Sequence, residues 1–451
     1  MKLQDRRQAA AIAALLSAMV LVVLDAAITN VALPTIARAL HTTAALSVWI
    51  ITAYQSALVM VLLPCAALGE SLGYRRVFTG GVVVFVAASA LCALSPSMPW
   101  LVAARFVQGL GGAAIMSLGV ALLRFVVPHH RLATAISWNA MVVAMSSAAG
   151  PTIGAAILSA ASWPWLFAVN VPLGALVLVA SRSLPDVSGT SRPLDVFSAA
   201  LNAGAFACFV IGAELFADRP GLAVALLAAT GILLVALVRR EMPKEAPLIP
   251  LDLLRSHSFR VSVIASILCF SGMTMGLVAL PFYLQHGLGQ DAWTTGLYLT
   301  PWPLTVAIAA PLTGRLANRA SSPWLCAVGG VILTAGLAAA ALWPLHGHPL
   351  PIALFTMTCG LGFGLFQVPN NRNMLLSAPR ERGGAAGGMQ GTARLTGQTA
   401  GAIIMTLLFT MSSVGAAPRI GLALASLLTL AAGLVSTLRA RSVAITELRA
   451  T

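Results

Sequence analysis

A chain of 451 residues that is 59% hydrophobic and only 9% charged, with a mean hydropathy of +0.90, is not a soluble globular protein, since soluble domains carry about 25% charged residues. The net charge of +14 does not point to nucleic acid: the basic residues fall almost entirely in alternate loops, and no DNA- or RNA-binding motif accompanies them. The six cysteines (Cys65, Cys92, Cys208, Cys269, Cys326, Cys359) all sit in apolar segments without a C-x-x-C pair, which speaks against metal centres and disulfides.

The first eight residues are short and basic and lead straight into an apolar run. No small-residue cleavage site ends that run and Asp25 interrupts it, so an uncleaved first helix is expected. Fourteen apolar segments succeed one another at roughly 9–33, 47–68, 77–95, 100–123, 134–159, 164–181, 196–216, 221–238, 260–285, 295–313, 324–343, 350–369, 389–411 and 419–438. An even number places both termini on one side of a membrane. With that side cytoplasmic, the Lys and Arg residues lie in the inner loops, except Arg38, Arg219 and Arg419 outside and Arg105 within a span. Such a bias sets the orientation, and Trp49, Trp100, Trp163, Trp165 and Trp343 lie at segment ends as interfacial anchors do.

The longest polar connection contains Pro243, Pro247 and Pro250, and the sequence beyond it echoes the sequence before it. Gly109-Leu110-Gly111 returns as Gly360-Leu361-Gly362, Gly150 and Gly154 return as Gly397 and Gly401, and the loop 66–70 returns at 314–318, at offsets of 251, 247 and 248 residues. Matched features in one order at nearly one offset indicate two homologous halves, a recurrent plan for transporters. The expected fold is an all-α polytopic membrane protein of fourteen transmembrane helices: two six-helix bundles with pseudo-two-fold symmetry and two inserted central helices. The expected boundaries are 1–185 for the first bundle, 186–240 for the insert, 241–259 for a cytoplasmic linker and 260–451 for the second bundle.

Asp25 lies about two-thirds of the way along the first segment, and an ionisable group there costs on the order of 2.5 kcal/mol or more unless it faces a water-filled cavity or a partner. Thr29 is one turn further on the same face. A transport site is the expectation, with a structural hydrogen bond between helices as the alternative. In the fourth segment Arg105, Gln108, Gly109 and Gly112 share one face. The guanidinium either tunes a coupling carboxylate or clamps backbone carbonyls of a neighbouring helix. Gly150-Pro151-x-x-Gly154 combines a proline with small residues, giving either a pivot or ordinary close packing. Glu70, Gly73, Arg75 and Arg76 form a short inner turn that either holds a gate or is simply solvated. Tyr54, Gln55, Trp138, Phe282, Tyr283, Phe366, Gln367 and Asn370 are candidates to line an apolar pocket, with lipid-facing positions as the alternative. Thr29, Gln108 and Asn139 are placed with that lining, although Asn139, Asn170 and Asn202 also suit hydrogen bonds between helices. Glu214 is expected at the outer interface, and the histidines fall in loops or at segment ends, away from any proton relay.

Five stretches in order resemble the fourteen-span drug:proton antiporter branch of the major facilitator superfamily. They are Leu24-Asp25 through Asn30-Val31-Ala32-Leu33-Pro34, Trp49 to Tyr54, Arg105-Phe106-Val107-Gln108-Gly109, Gly150-Pro151-Thr152-Ile153-Gly154, and Trp163 to Pro172. The inner-loop motif departs from that branch, with Ala66, Glu70 and Ser71 where it usually carries Gly, Asp and Arg. The resemblance implies a proton-coupled exporter of small amphipathic or drug-like compounds working by alternating access, with Asp25 and Arg105 as the proton-coupling pair. It implies a multi-pass protein of a bacterial-type cytoplasmic (inner) membrane with both termini cytoplasmic. The partners would be a small-molecule substrate, protons and the bilayer, with a monomer as the expected state and no cofactor beyond the proton motive force. Alternatives are a transporter of one endogenous metabolite on the same scaffold, or a non-transporting membrane scaffold. An intramembrane enzyme is not expected, because no nucleophile–base pair or His-x-x-x-His ligand set lies at membrane depth.

Overall fold

The computed structural model describes residues 2–128, 132–187, 195–216, 219–244, 251–317, 321–344, 348–378 and 383–448. Side chains are described for these except 2–7, 132–134, 136–137, 140, 144, 251, 383–385 and 440–448. Residues 245–250 of the expected linker, and the expected inner-loop residues Arg131, Arg192, Arg319, Arg380, Arg382 and Arg449, lie outside the described residues.

Every regular element among the described residues is helical. An apolar solvent leaves the backbone no partner but itself, so a chain this hydrophobic closes its hydrogen bonds within helices. Contacts divide the chain into two compact units, Met1–Leu237 and Val238–Thr451. The first holds α1 (Lys2–Ala39), α2 (Ala44–Leu72), α3 (Tyr74–Ala93), α4 (Met98–Val126), α5 (Leu132–Ala160), α6 (Trp165–Ala168), α7 (Asn170–Ser181), α8 (Val196–Glu214) and most of α9 (Pro220–Glu241). The second holds α10 (His257–Phe282), α11 (Ala292–Leu299), α12 (Pro301–Leu316), α13 (Ser322–Leu342), α14 (Leu350–Leu376), α15 (Gly383–Met411) and α16 (Ala417–Leu448). Several helix starts are capped: the side chains of Thr43, Asp195, Ser256 and Asp291 accept from the backbone N–H three residues on.

Eleven helices among the described residues are long and apolar enough to cross a bilayer. Three of the expected segments fall short of that standard, each for a local reason. The sixth is a shorter apolar helix, Trp165–Ser181, in which a turn at Val169 separates α6 from α7 and Pro172 has no N–H to return to Ala168. The tenth is split into α11 and α12, the second of which starts on Pro301 at its first position. α15 is continuous over 29 residues, but its first half is rich in Gly, Thr and Gln.

Glycines determine which helices meet. In the first unit a Cβ at Gly109 would run into the Tyr54 carbonyl of α2, Gly81 and Gly111 press α3 against α4, and Gly150 and Gly154 bring α5 onto Ala27 and Ile28 of α1. The second unit repeats the pattern internally: Gly360 on the Trp302 carbonyl of α12, Gly329 against Gly362, and Gly397 and Gly401 on the Ile267 and Ser271 carbonyls of α10. The echoes at Gly109-Leu110-Gly111 and Gly150/Gly154 are therefore helix-packing sites in each unit. Large apolar side chains such as Leu94, Leu176, Ile232 and Leu342 point outward, as a lipid-facing surface requires.

Candidate functional site

The candidate site is a buried polar cluster in the first unit. Asp25 on α1 and Arg105 on α4 are 0% and 1% exposed, and the Arg105 Nη1 donates to Asp25 Oδ2 at 2.5 Å. Two amides complete the carboxylate's shell. Asn170 Nδ2, on the first residue of α7, donates to Oδ1 at 2.6 Å, and Gln108 Nε2 donates to the same oxygen at 3.0 Å. Charge-assisted bonds of this kind are about twice as strong as neutral ones.

Arg105 is itself held from several sides. Its Nη1 also donates to Gln108 Oε1 at 2.5 Å, and its Nε donates to the Ile50 carbonyl of α2 at 3.2 Å. The guanidinium carbon lies 4.2 Å above the Tyr54 ring and 5.6 Å from that of Phe167, which are cation–π placements. Gly112 makes room for this, since a Cβ there would come within 3.0 Å of the Tyr54 hydroxyl. Gln108 Nε2 donates also to Ser89 Oγ of α3 at 2.8 Å, and Cys92 Sγ lies 3.8 Å from Gln108 Oε1. One carboxylate thus ties α1, α4 and α7 directly, and α2 and α3 through Arg105 and Gln108.

The other expected residues fall elsewhere. Thr29 is buried, but its hydroxyl donates to the Asp25 backbone carbonyl at 2.7 Å rather than to the carboxylate. Gln55 is half-buried on α2, Trp138 is exposed on α5 and Asn139 is half-buried beside it. In the second unit Phe282 packs on Phe409 with ring centroids 4.6 Å apart, and the Tyr283 hydroxyl donates to the Trp343 carbonyl at 2.8 Å. Phe366 is buried and Gln367 half-buried on α14. Asn370 joins a second polar cluster, donating to Ser266 Oγ at 2.7 Å and accepting from Arg439 Nη1 at 3.1 Å.

At the α2–α3 turn, Gly73 has φ of 100°, in a region that side chains other than glycine's adopt at a cost. Arg75 Nη2 reaches the Arg182 carbonyl at 3.4 Å, a cation against the negative end of α7. Glu70 and Arg76 are exposed. The Gly150-Pro151-x-x-Gly154 stretch lies against Ala27 and Ile28, within a turn of Asp25, so it sets how closely α5 approaches the carboxylate-bearing helix.

Asn170, Ser89 and Cys92 are members of the cluster that sequence reasoning did not assign to it. Asn170 carried one signal, an amide within an apolar run. Ser89 carried none, because a lone helix serine bonds its own backbone, as this one does to Phe85.

Chemically, the arrangement surrounds the Asp25 carboxyl with N–H donors from Arg105, Gln108 and Asn170. Among the described residues no group of His, Cys, Asp and Glu is placed to hold a metal ion.

A buried acid–base pair inside a bundle of bilayer-length helices suits a membrane transporter, and comparison with known families identifies the class. Residues 15–402 match the model of the Major Facilitator Superfamily, and the chain belongs to that family. It is 45% identical over 424 residues to the uncharacterized transporter YebQ of Escherichia coli (strain K12), covering 92% of each chain. It is 31% identical to the tetracenomycin C resistance and export protein of Streptomyces glaucescens, over 86% of this chain and 73% of that one. The riboflavin transporter RibZ of Clostridioides difficile (strain 630) is 26% identical over 82% and 81%.

Proposed function

We propose that the protein is a proton-driven exporter of small amphipathic compounds that works by alternating access. The observation that carries this reading is the fully buried Asp25–Arg105 pair held by Gln108 and Asn170. On this reading Asp25 takes a proton from outside, its charge is cancelled, and Arg105 and the amides rearrange, which repacks five helices. Substrate binds when Asp25 is ionised, and it shifts the equilibrium only by its differential affinity for the two states. A membrane potential contributes about 2.3 kcal/mol per charge per 100 mV, so one proton is a useful driving force. The reading extends to fourteen spans, with α6–α7, α11–α12 and α15 completing the eleven, arranged as two six-helix bundles with α8 and α9 inserted. It places the protein in a cytoplasmic membrane with both termini inside and assigns it no cofactor.

Export of drug-like compounds is favoured by the relative whose name states resistance and export. Transport of one endogenous metabolite is a second reading, favoured by the relative named as a riboflavin transporter. Substrate-induced proton movement in proteoliposomes separates them, with Asp25→Asn beside the parent protein across lipophilic cations, neutral drugs and flavins. Responses to several compounds that vanish in a folded Asp25→Asn are expected. Equal fluxes from both proteins would remove Asp25 from the coupling step, and a response to one metabolite alone would favour the second reading.

A further inference from the structure

Pro64 lies within α2, between Tyr54 and the Gly73 turn. Proline has no amide hydrogen, so the carbonyl four residues earlier, on Met60, loses its helical donor. Deep in an apolar phase an unmet carbonyl is costly, and a neighbouring helix commonly supplies the missing bond. Here that donor is identifiable. Asn202 Nδ2 on α8 donates to the Met60 carbonyl at 2.8 Å, and Asn202 is only 2% exposed. α8 packs on α2, and α9 packs on α8 where Gly212 meets Leu226 and Gly204 meets Leu233.

We infer that Asn202 pins the α8–α9 hairpin to α2 by supplying the hydrogen bond that Pro64 denies to that helix. The geometry is a lock for one residue type in one place. A hydrophobe at position 202 leaves the Met60 carbonyl unmet, whereas any residue but proline at position 64 satisfies it internally and makes the Asn202 amide dispensable. The hairpin is thereby fixed to the helix that carries the Ile50 carbonyl and the Tyr54 ring, both of which hold Arg105. It braces α2 between the buried cluster and the Gly73 turn and travels with that helix.

The test is a double-substitution cycle on the full chain in detergent. Asn202→Leu keeps the size and removes the donor, and is expected to lower the unfolding temperature by roughly 1–2 °C. In a Pro64→Ala background the same change should cost less than half as much. Equal losses in both backgrounds would overturn the pinning. Pro64→Val serves equally should Pro64→Ala not accumulate, since it too restores the N–H. A second readout rests on the export reading: Asn202→Leu should lower the maximal transport rate about threefold at an unchanged half-saturating concentration, because a brace of α2 affects turnover and not substrate contact. Pro64→Ala should restore that rate. A raised half-saturating concentration would make Asn202 a substrate contact and overturn the brace. Absence of transport by the parent protein would instead sink the export reading and leave the thermal cycle to decide.

Discussion

Replacing Arg105 with leucine tests whether Asp25 and Arg105 act as one unit. The two side chains meet at 2.5 Å and neither is more than 1% exposed. Removing one partner of a buried ion pair typically costs about 3–5 kcal/mol, because it strands the other charge. Asp25 keeps its bonds from Gln108 and Asn170, so the lower end, about 3 kcal/mol, is expected, a shift of roughly a hundredfold in the unfolding constant. Asp25→Asn alone should cost a similar amount, since it strands a guanidinium bonded only to neutral groups. The double substitution removes both charges, and the amide oxygen introduced at position 25 still accepts from the neighbouring amides. It should lie within about 1 kcal/mol of the parent protein, as apolar replacement of buried pairs often does. The assay is denaturation of the purified protein in mixed micelles, monitored by tryptophan fluorescence. The single losses should therefore fail to add by several kcal/mol. Additivity within about 0.5 kcal/mol would mean that the two groups act independently, and the coupled-site account would fail.

Two further outcomes rest on local geometry. Gly150→Val should push α5 off Ala27 and cost about 1–3 kcal/mol of stability, with loss of transport, whereas Gly80→Val, at a glycine with open space around it, should leave both nearly unchanged; proteoliposome flux and thermal unfolding of the pair check this. Asp291→Ala should remove the cap of α11 and cost about 1 kcal/mol near neutral pH. The Thr294 hydroxyl and backbone N–H hold the Asp291 carboxyl below the usual carboxylate range. Its contribution is therefore present above that range and lost as pH falls through it, so the difference between variant and parent in thermal scans should shrink in acid.

The helices were legible because the bilayer leaves the backbone one solution, and apolar run length reports it directly. Where expectation and structure part, the reasons are local: a polar first half in α15, and prolines in the sixth and tenth segments. Pro172 and Pro301 interrupt two runs that composition reads as continuous. The glycine echoes at Gly109 and Gly360, and at Gly150 and Gly397, were readable as repeats, and close packing was one reading of Gly150 and Gly154; which helix lies opposite was not readable, since sequence spacing does not say.

The site was half legible for the same reason. A charge in an apolar run must have a partner, so Asp25 and Arg105 each declared themselves, but nothing in their spacing paired them. Two roles were open for Arg105, clamping backbone carbonyls or tuning a carboxylate, and it does the first through Nε on Ile50 while Nη1 holds Asp25. Thr29 shares a face with Asp25, and helix chemistry turned its hydroxyl back to the carbonyl one turn earlier. Asn170 was invisible as a ligand because a neutral amide in a span has many possible partners. Yet its bond to Oδ1, at 2.6 Å, is shorter than that of Gln108 at 3.0 Å. That ordering has a consequence for the coupling reading. Oδ1 is held by Asn170 of α7 and Gln108 of α4 and Oδ2 by Arg105 of α4, so any rearrangement that frees α7 from the carboxyl acts through Oδ1 alone.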